Sequence, residues 1–302
     1  MKLSGVFPVL PTPFDDAGAV DAAGFDAVID FAVSCGVAGC VYPGVASEVD
    51  TLGDDERAAL VARLGRRLDG RVPFVVGASA AAPAEVLAHV AGGARAGAAA
   101  AMVMAPAAAG DPVGFFAEIG AQSPLPLMLQ NAPAPIGAGL DADRVAEIAR
   151  AVPNVRLVKE ETLPCGQNLS RIRAACGDAI DGVFGGAGGR YVIDELARGA
   201  LGTMPALEFA DIHVRLLDAW AEGREDEARR LFAATLPALS FQAVFRMHMT
   251  KATLARRGVP VGPHVRGAGP RMDDMDRREL AALLDALEPE LQGRPAAADA
   301  AE

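Results

Sequence analysis

The chain has 302 residues, 51% of them hydrophobic and 22% charged, with a net charge of −11. That length fits two average domains or one large domain with an appendage. The composition excludes disorder, because 33 Gly and 21 Pro stay below the roughly 25–30% that marks low-complexity chains. The acidic balance argues against phosphate-backbone binding, which needs clustered Lys and Arg, so nucleic acid is not expected as a partner.

Short apolar runs alternate with amphipathic windows along most of the chain. The runs fall at 6–10, 39–42, 73–77, 100–104, 127–130, 155–160, 182–185 and 202–205. The apolar N-terminal stretch 5–14 is broken by Pro8, Pro11 and Pro13 and no small-residue cleavage site follows it, so it reads as part of a cytoplasmic protein rather than a leader. In the first helical window Asp21 is placed as a cap, Phe25, Val28, Ile29 and Ala32 form an i, i+3, i+4, i+7 stripe, and Gly36 ends it. Gly53 with Glu56 opens a second stripe through Leu60, Val61 and Leu64. The most apolar stretch, 96–110, is shorter than the ~20 residues a bilayer requires and contains Pro106, so no membrane span is expected. Asp111 followed by Pro112 starts another helix, Asp141 opens the window with Val145, Ile148 and Ala149, and Gly199 closes the one with Val192, Ile193 and Leu196.

This rhythm predicts an α/β fold, a (β/α)8 TIM barrel over 1–223, with a doubly wound sheet as the runner-up that lacks a GxGxxG turn after its first strand. Beyond Gly223 the window 225–257 reads as a helix bent at Pro237. A Gly- and Pro-rich loop at 258–270 and a second helix at 274–287 follow, so 224–291 is expected to be a helical extension packed on the barrel. Residues 292–302 are small and polar, the composition of a disordered tail.

Cys35, Cys40, Cys165 and Cys176 show no CxxC spacing, and His89, His213, His248 and His264 are scattered, so the cysteines are expected to be thiols and neither a metal nor a cofactor is expected. Barrel enzymes place catalytic groups at the C-terminal ends of strands. In the sixth run, period two puts Val155, Leu157 and Lys159 on one face, the pattern of a barrel interior with a lysine at its end. An ammonium held there is partly desolvated, which favours the neutral amine that attacks a carbonyl, so Lys159 is a Schiff-base candidate. The alternative is a lysine that only pairs with Glu160 or Glu161. Only Lys2, Lys159 and Lys251 stand against twenty-five arginines, and a guanidinium cannot supply a free amine. Glu161 either faces the pocket as an acid or base, or is a solvated loop carboxylate. Glu48 reads as a loop anchor, Tyr42 as wall packing and Cys165 as a thiol with no nearby activating histidine. The Gly-rich loop 185–189 offers weak support for a phosphate site, with Arg190 its one basic neighbour.

Several of these segments carry a resemblance. The segment GVFPVLPTPF at 5–14, the turn Gly44-Val45-Ala46-Ser47-Glu48, Asn131 with Pro133, Val158-Lys159-Glu160, and Gly199-Ala200-Leu201-Gly202-Thr203 stand in the order seen in the dihydrodipicolinate synthase and N-acetylneuraminate lyase superfamily, which the chain resembles over about residues 3–290. The resemblance implies a (β/α)8 barrel, usually a homotetramer, in which Lys159 forms an imine with pyruvate or another 2-keto acid. The turn Gly44, Val45, Ala46 and Ser47 would bind the keto acid's carboxylate, and Gly185 and Gly186 would leave room for the substrate. The chain departs from the family pattern where Val45 and Ala46 replace two hydroxyl residues, where Gln130 replaces the proton-relay tyrosine, and where Pro106-Ala107-Ala108-Ala109 replaces the tyrosines after strand four. Proline or isoleucine (Pro135, Ile136) stands near the expected arginine, which argues against dihydrodipicolinate-type condensation, though that reading stays open as an alternative. The segments Gln130-Asn131-Ala132-Pro133 and Gly202-Thr203-Met204-Pro205 are similar to the branch acting on 2-keto-3-deoxy sugar acids. The expectation is therefore a class I lyase of a small 2-keto acid, dehydratase or pyruvate-releasing aldolase, with Lys159, Gln130 and Glu161 at its centre. A rival is a barrel that binds a keto acid without turning it over.

Overall fold

The computed structural model describes residues 3–107 and 110–293; Lys2, Ala108, Ala109 and all but the start of the 292–302 tail lie outside the described residues. Eight parallel strands alternate with helices: β1 (Gly5–Val6), α1 (Ala22–Ser34), β2 (Cys40–Tyr42), α2 (Asp54–Leu68), β3 (Phe74–Gly77), α3 (Pro83–Arg95), β4 (Ala100–Met104), α4 (Pro112–Gln122), β5 (Leu127–Asn131), α5 (Ala142–Ala151), β6 (Val155–Glu160), α6 (Cys165–Cys176), β7 (Gly182–Gly185), α7 (Val192–Ala197), β8 (Gly202–Thr203) and α8 (Ala210–Ala221). The strand order β1-β8-β7-β6-β5-β4-β3-β2 closes through Val9 against Val41, with Leu10 N–H donating to the Val41 carbonyl (3.1 Å) and Val41 N–H to that of Pro8 (2.9 Å). This is a (β/α)8 barrel, and closure rules out the doubly wound sheet. No described helix is long and apolar enough to cross a membrane.

The local signals act through the expected groups. Asp21 caps α1 by accepting from Gly24 N–H (2.9 Å), Asp111 caps α4 through Gly114, and Glu56 accepts from Gly53 N–H at the start of α2. Regular pairing in the first and last strands is shorter than the runs 6–10 and 202–205, because Pro8 and Pro205 have no N–H to give the ladder. Phe7, Val9, Val41, Val75, Met102, Met128, Leu157, Phe184 and Met204 fill the barrel interior, and a larger cluster packs the outward strand faces against the helices.

The sixth strand corrects one expectation. Leu127 pairs with Val155, but Met128 pairs with Leu157, so Arg156 is an extra residue in a bulge. Val155 therefore packs in the outer layer with Val158, while Leu157 faces the interior. Only beyond the bulge does period two hold, and it turns Lys159 inward.

After α8 the chain forms α9 (Glu225–Arg256) and α10 (Asp274–Leu287), which bury Leu231, Leu239, Met249, Leu280 and Leu284 with Phe209 and Ile212. The interruption of α9 falls at Arg246 (φ 46°, ψ −119°), not at Pro237. Pro237 and Ala233 are both exposed, so water can satisfy the Ala233 carbonyl that the proline leaves without a donor.

Candidate active site

A cavity of about 250 Å³ opens at the C-terminal ends of the strands. Its floor is Val9, Met102 and Met204, and its walls come from the turn after β2, the loops after β5 and β7, and one side of α9. The pairing register of the strands explains which side chains enter it. Gln130, Lys159 and Phe184 are paired neighbours on β5, β6 and β7 and share the inward row, whereas Asn131, Glu160 and Gly185 form the next row and face the helices.

Lys159 is 4% exposed, and its Nζ lies 3.1 Å from Oε1 of Glu161. Two donors fix that carboxylate besides the lysine, Gln130 Nε2 to Oε2 (2.7 Å) and Ala187 N–H to Oε1 (3.0 Å), while the Glu161 backbone N–H donates to the Asn131 carbonyl (3.0 Å). Ala187 presents its N–H from a left-handed conformation, φ 50°, of the kind retained where surrounding structure holds a functional group in place. Burial alone would push the Glu161 carboxyl up, but the Lys159 ammonium and the Gln130 and Ala187 donors outweigh it and hold the group below the usual carboxylate range. Glu161 is thus an ionised carboxylate in contact with the only described lysine in the cavity.

Across the mouth, Gly44, Val45 and Ala46 line the cavity in a short 3-10 turn. The backbone N–H groups of Val45 and Ala46 donate to nothing among the described residues, so they are open to an anion. Ser47 is not: its hydroxyl accepts from Gly44 N–H (2.9 Å) and donates to the Leu10 carbonyl (2.5 Å), entirely buried.

A profile of the dihydrodipicolinate synthetase family matches residues 2–287. The chain belongs to that family. It is 31% identical to L-2-keto-3-deoxyarabonate dehydratase of Azospirillum brasilense, covering 94% of each chain. With N-acetylneuraminate lyase of Rhizobium meliloti (strain 1021) it shares 30% identity over 97% of each. Its fold superposes on dihydrodipicolinate synthase from Rhodopseudomonas palustris with a TM-score of 0.87 and 26% identity, over 94% of this chain and 98% of that one. At family level the protein is a lyase.

Against this family frame, the structure brings together Lys159, Gln130, Glu161 and the Gly44–Ala46 turn, and leaves out others. Ser47 shapes the turn rather than facing the cavity, because both sides of its hydroxyl are occupied. Gly185 lies in the outward row; a Cβ there would stand 1.9 Å from Glu195 Oε2, so this glycine makes room for a buried carboxyl and not for substrate. Gly186 makes room for Glu161, whose Oε1 would lie 2.5 Å from an added Cβ, and Ala187 and Gly188 are the residues that line the cavity there. Glu160 is fully buried behind the strand, accepting from Asn131 Nδ2 (2.6 Å) and Thr162 N–H (2.6 Å), and burial pushes its carboxyl up to about 7. Tyr42 is buried in the outer layer against Phe25 with its hydroxyl on Thr12 (3.0 Å). Burial, reinforced by nearby carboxylates, pushes the Cys165 thiol up to about 12, leaving no thiolate near neutral pH.

Sequence reasoning missed the contribution of α9. Gln242, Ala243, Arg246 and Met247 roof the cavity, placed there by the interruption at Arg246, and no local pattern marks where that helix breaks. Arg190, weighed only as a phosphate neighbour, also lines the cavity.

Proposed function

We propose that the protein is a class I lyase that forms an imine between Lys159 and a 2-keto acid of the 2-keto-3-deoxy sugar acid type, and that it dehydrates this substrate. The reading rests on the 3.1 Å contact between Lys159 Nζ and a carboxylate pinned on both oxygens. Proton transfer from the ammonium to Glu161 leaves the neutral amine, which adds to the C2 carbonyl; Glu161 then gives that proton to the carbinolamine hydroxyl, which leaves as water, so that the protonated imine stands beside a carboxylate again. The substrate carboxylate would sit on the Val45 and Ala46 N–H groups. The imine acidifies C3, and Glu161, held beside the imine nitrogen, takes the C3 proton to give the enamine. The same carboxyl then returns that proton to the C4 hydroxyl as the C4–O bond breaks and water leaves. Hydrolysis of the imine frees Lys159 and the unsaturated 2-keto acid.

Gln130 cannot transfer protons near neutral pH; its amide orients Glu161. Aldol cleavage would use the same carboxylate as a base on the C4 hydroxyl, so the placement of Glu161 serves either route, and the similarity to a 2-keto-3-deoxy sugar acid dehydratase is what supports dehydration. The similarity to a lyase that cleaves N-acetylneuraminate supports the aldol route as the second reading. A homotetramer remains part of the proposal through family likeness, and light scattering tests it.

Borohydride reduction in the presence of pyruvate and of 2-keto-3-deoxy acids, followed by peptide mapping, should place the adduct on Lys159. No adduct with any keto acid, or an adduct confined to Lys251, overturns the assignment. Product analysis then decides the reaction: loss of water with the carbon chain intact supports dehydration, release of pyruvate makes the protein an aldolase, and an adduct without turnover makes it a binding protein.

A further inference from the structure

The charged lining of the cavity consists of Lys159, Glu161, Arg190 and Arg246. Lys159 and Glu161 neutralise each other, which leaves two arginines, Arg190 half-buried and Arg246 exposed, lining a shared space in a chain whose overall charge is −11. Neither arginine has a carboxylate within ion-pair reach among the described residues. Arg190 gives only a long bond of 3.5 Å to the Leu239 carbonyl, and Arg246 has no hydrogen-bond partner among the described residues. Arg246 holds a backbone conformation, φ 46° and ψ −119°, that non-glycine residues rarely adopt, and it does so at the point where α9 passes the cavity. Gly188 connects the two ends of the site. A Cβ on it would lie 2.9 Å from Arg190 Nη1 and 3.6 Å from Gln242 Oε1, and the preceding residue's N–H holds Glu161. The arginines therefore lie on the β7 and α9 side of the mouth, while the Val45 and Ala46 N–H groups lie on the β2 side, three strands away around the ring.

We propose that Arg190 and Arg246 form a second anion subsite, and that the substrate is a dicarboxylic 2-keto acid whose distal carboxylate they hold with Gln242 beside them. The inference rests on the imine reading above, since Lys159 fixes where the C2 end lies. A diacid brings two negative charges to a lining with two uncompensated positive ones. A planar guanidinium fork matches a carboxylate in a two-bond geometry. A neutral hydroxymethyl end would leave both cations facing a ligand that cannot pair with them.

The test compares 2-keto-3-deoxy acids of equal chain length that end in carboxylate, hydroxymethyl or phosphate, using wild type, Arg190→Gln and Arg246→Gln. The diacid should show the highest kcat/KM in wild type. Each substitution should raise KM for the diacid by about 10–100-fold, with a far smaller change in kcat and little effect on the hydroxymethyl acid. Borohydride trapping with pyruvate, which has no distal group, should still label Lys159 in both variants and reports that the fold and the imine centre are intact. Trapping without a preference for the diacid overturns the subsite while leaving the imine reading standing; no trapping in wild type fails the imine reading instead. Preference for the phosphate or hydroxymethyl acid, or a KM for the diacid that neither substitution changes, also overturns the proposal.

Discussion

Glu195 is 1% exposed, and neither of its carboxylate oxygens has a hydrogen-bond partner among the described residues. Burial, with the nearby charge of Glu161 adding to it, pushes its carboxyl up to about 8. The folded protein therefore keeps this proton up to about pH 8, whereas the unfolded chain releases it near the ordinary value of 4.5. Between those values the folded state binds more protons, so rising pH favours unfolding, by up to about 1.4 kcal/mol per pH unit for one such group. Glu195→Gln removes the titration while keeping the shape. Denaturant unfolding at pH 5.5 and pH 8 should show wild type losing more stability over that interval than the variant. Equal losses would show that Glu195 does not hold its proton in the folded protein. The protonated carboxyl also matters to its neighbour, since an ionised Glu195 would place a second negative charge behind Glu161 and oppose the deprotonated state that the proposed imine chemistry requires.

Strand register decides which residues of the sixth and seventh strands reach the cavity, and it accounts for both the accuracy and the errors of a reading from sequence. Lys159 was legible because period two is reliable at the end of β6, and the alternation of apolar runs with capped helices was enough for the barrel. Val155 was misplaced because a bulge at Arg156 shifts the phase, and an extra residue leaves no mark in an apolar run. Gly185 could have been placed: pairing it with Glu160 and Asn131 puts it in the outward row, one step from Phe184 in the interior row. Gly186 follows from that register as the glycine that bears on the proposed proton carrier. Its added Cβ would stand 2.5 Å from Glu161 Oε1 and 2.7 Å from Cγ, so Gly186→Ala must displace the carboxylate from Lys159. A shift of about 1 Å in a catalytic group can cost about 100-fold, so turnover should fall by roughly that factor. Lys159 should still be trapped by borohydride with pyruvate, more slowly. Full activity in Gly186→Ala would mean that Glu161 is not the proton carrier.

At the scale of the whole molecule, the C-terminal segment is tied to the barrel mouth by buried charge. Lys251 on α9 donates to Glu48 Oε1 (2.6 Å) and to the His264 carbonyl (2.7 Å), while Gly267 N–H donates to Glu48 Oε2 (2.8 Å). Arg266 makes a two-bond contact with Glu56 (2.7 and 2.8 Å), and both cations lie over the Phe14 ring. Arg257 and Asp211 form a second buried pair that holds the end of α9 against α8. Glu48 was readable as a loop anchor, but its partner was not, because a contact between residues 48 and 251 leaves no local pattern. The pair also tempers the argument from lysine scarcity: Lys251 is retained for a compact ammonium that serves two acceptors in a buried site, so rarity alone did not single out Lys159. Since Glu48 follows directly on the turn carrying the Val45 and Ala46 N–H groups, this contact couples the position of the helical segment to the proposed carboxylate cradle. Lys251→Met would leave a carboxylate 6% exposed without its paired ammonium, which costs about 3–5 kcal/mol when a buried pair is broken on one side. Adding Glu48→Gln removes the stranded charge and should recover a large part of that loss. Urea unfolding of the single and double variants measures both steps; a single variant as stable as wild type, or a double variant no better than the single, would show that the pair does not hold the segment. In the double variant the restored stability should not restore the turn's geometry, so KM for the keto acid should stay raised while trapping on Lys159 persists.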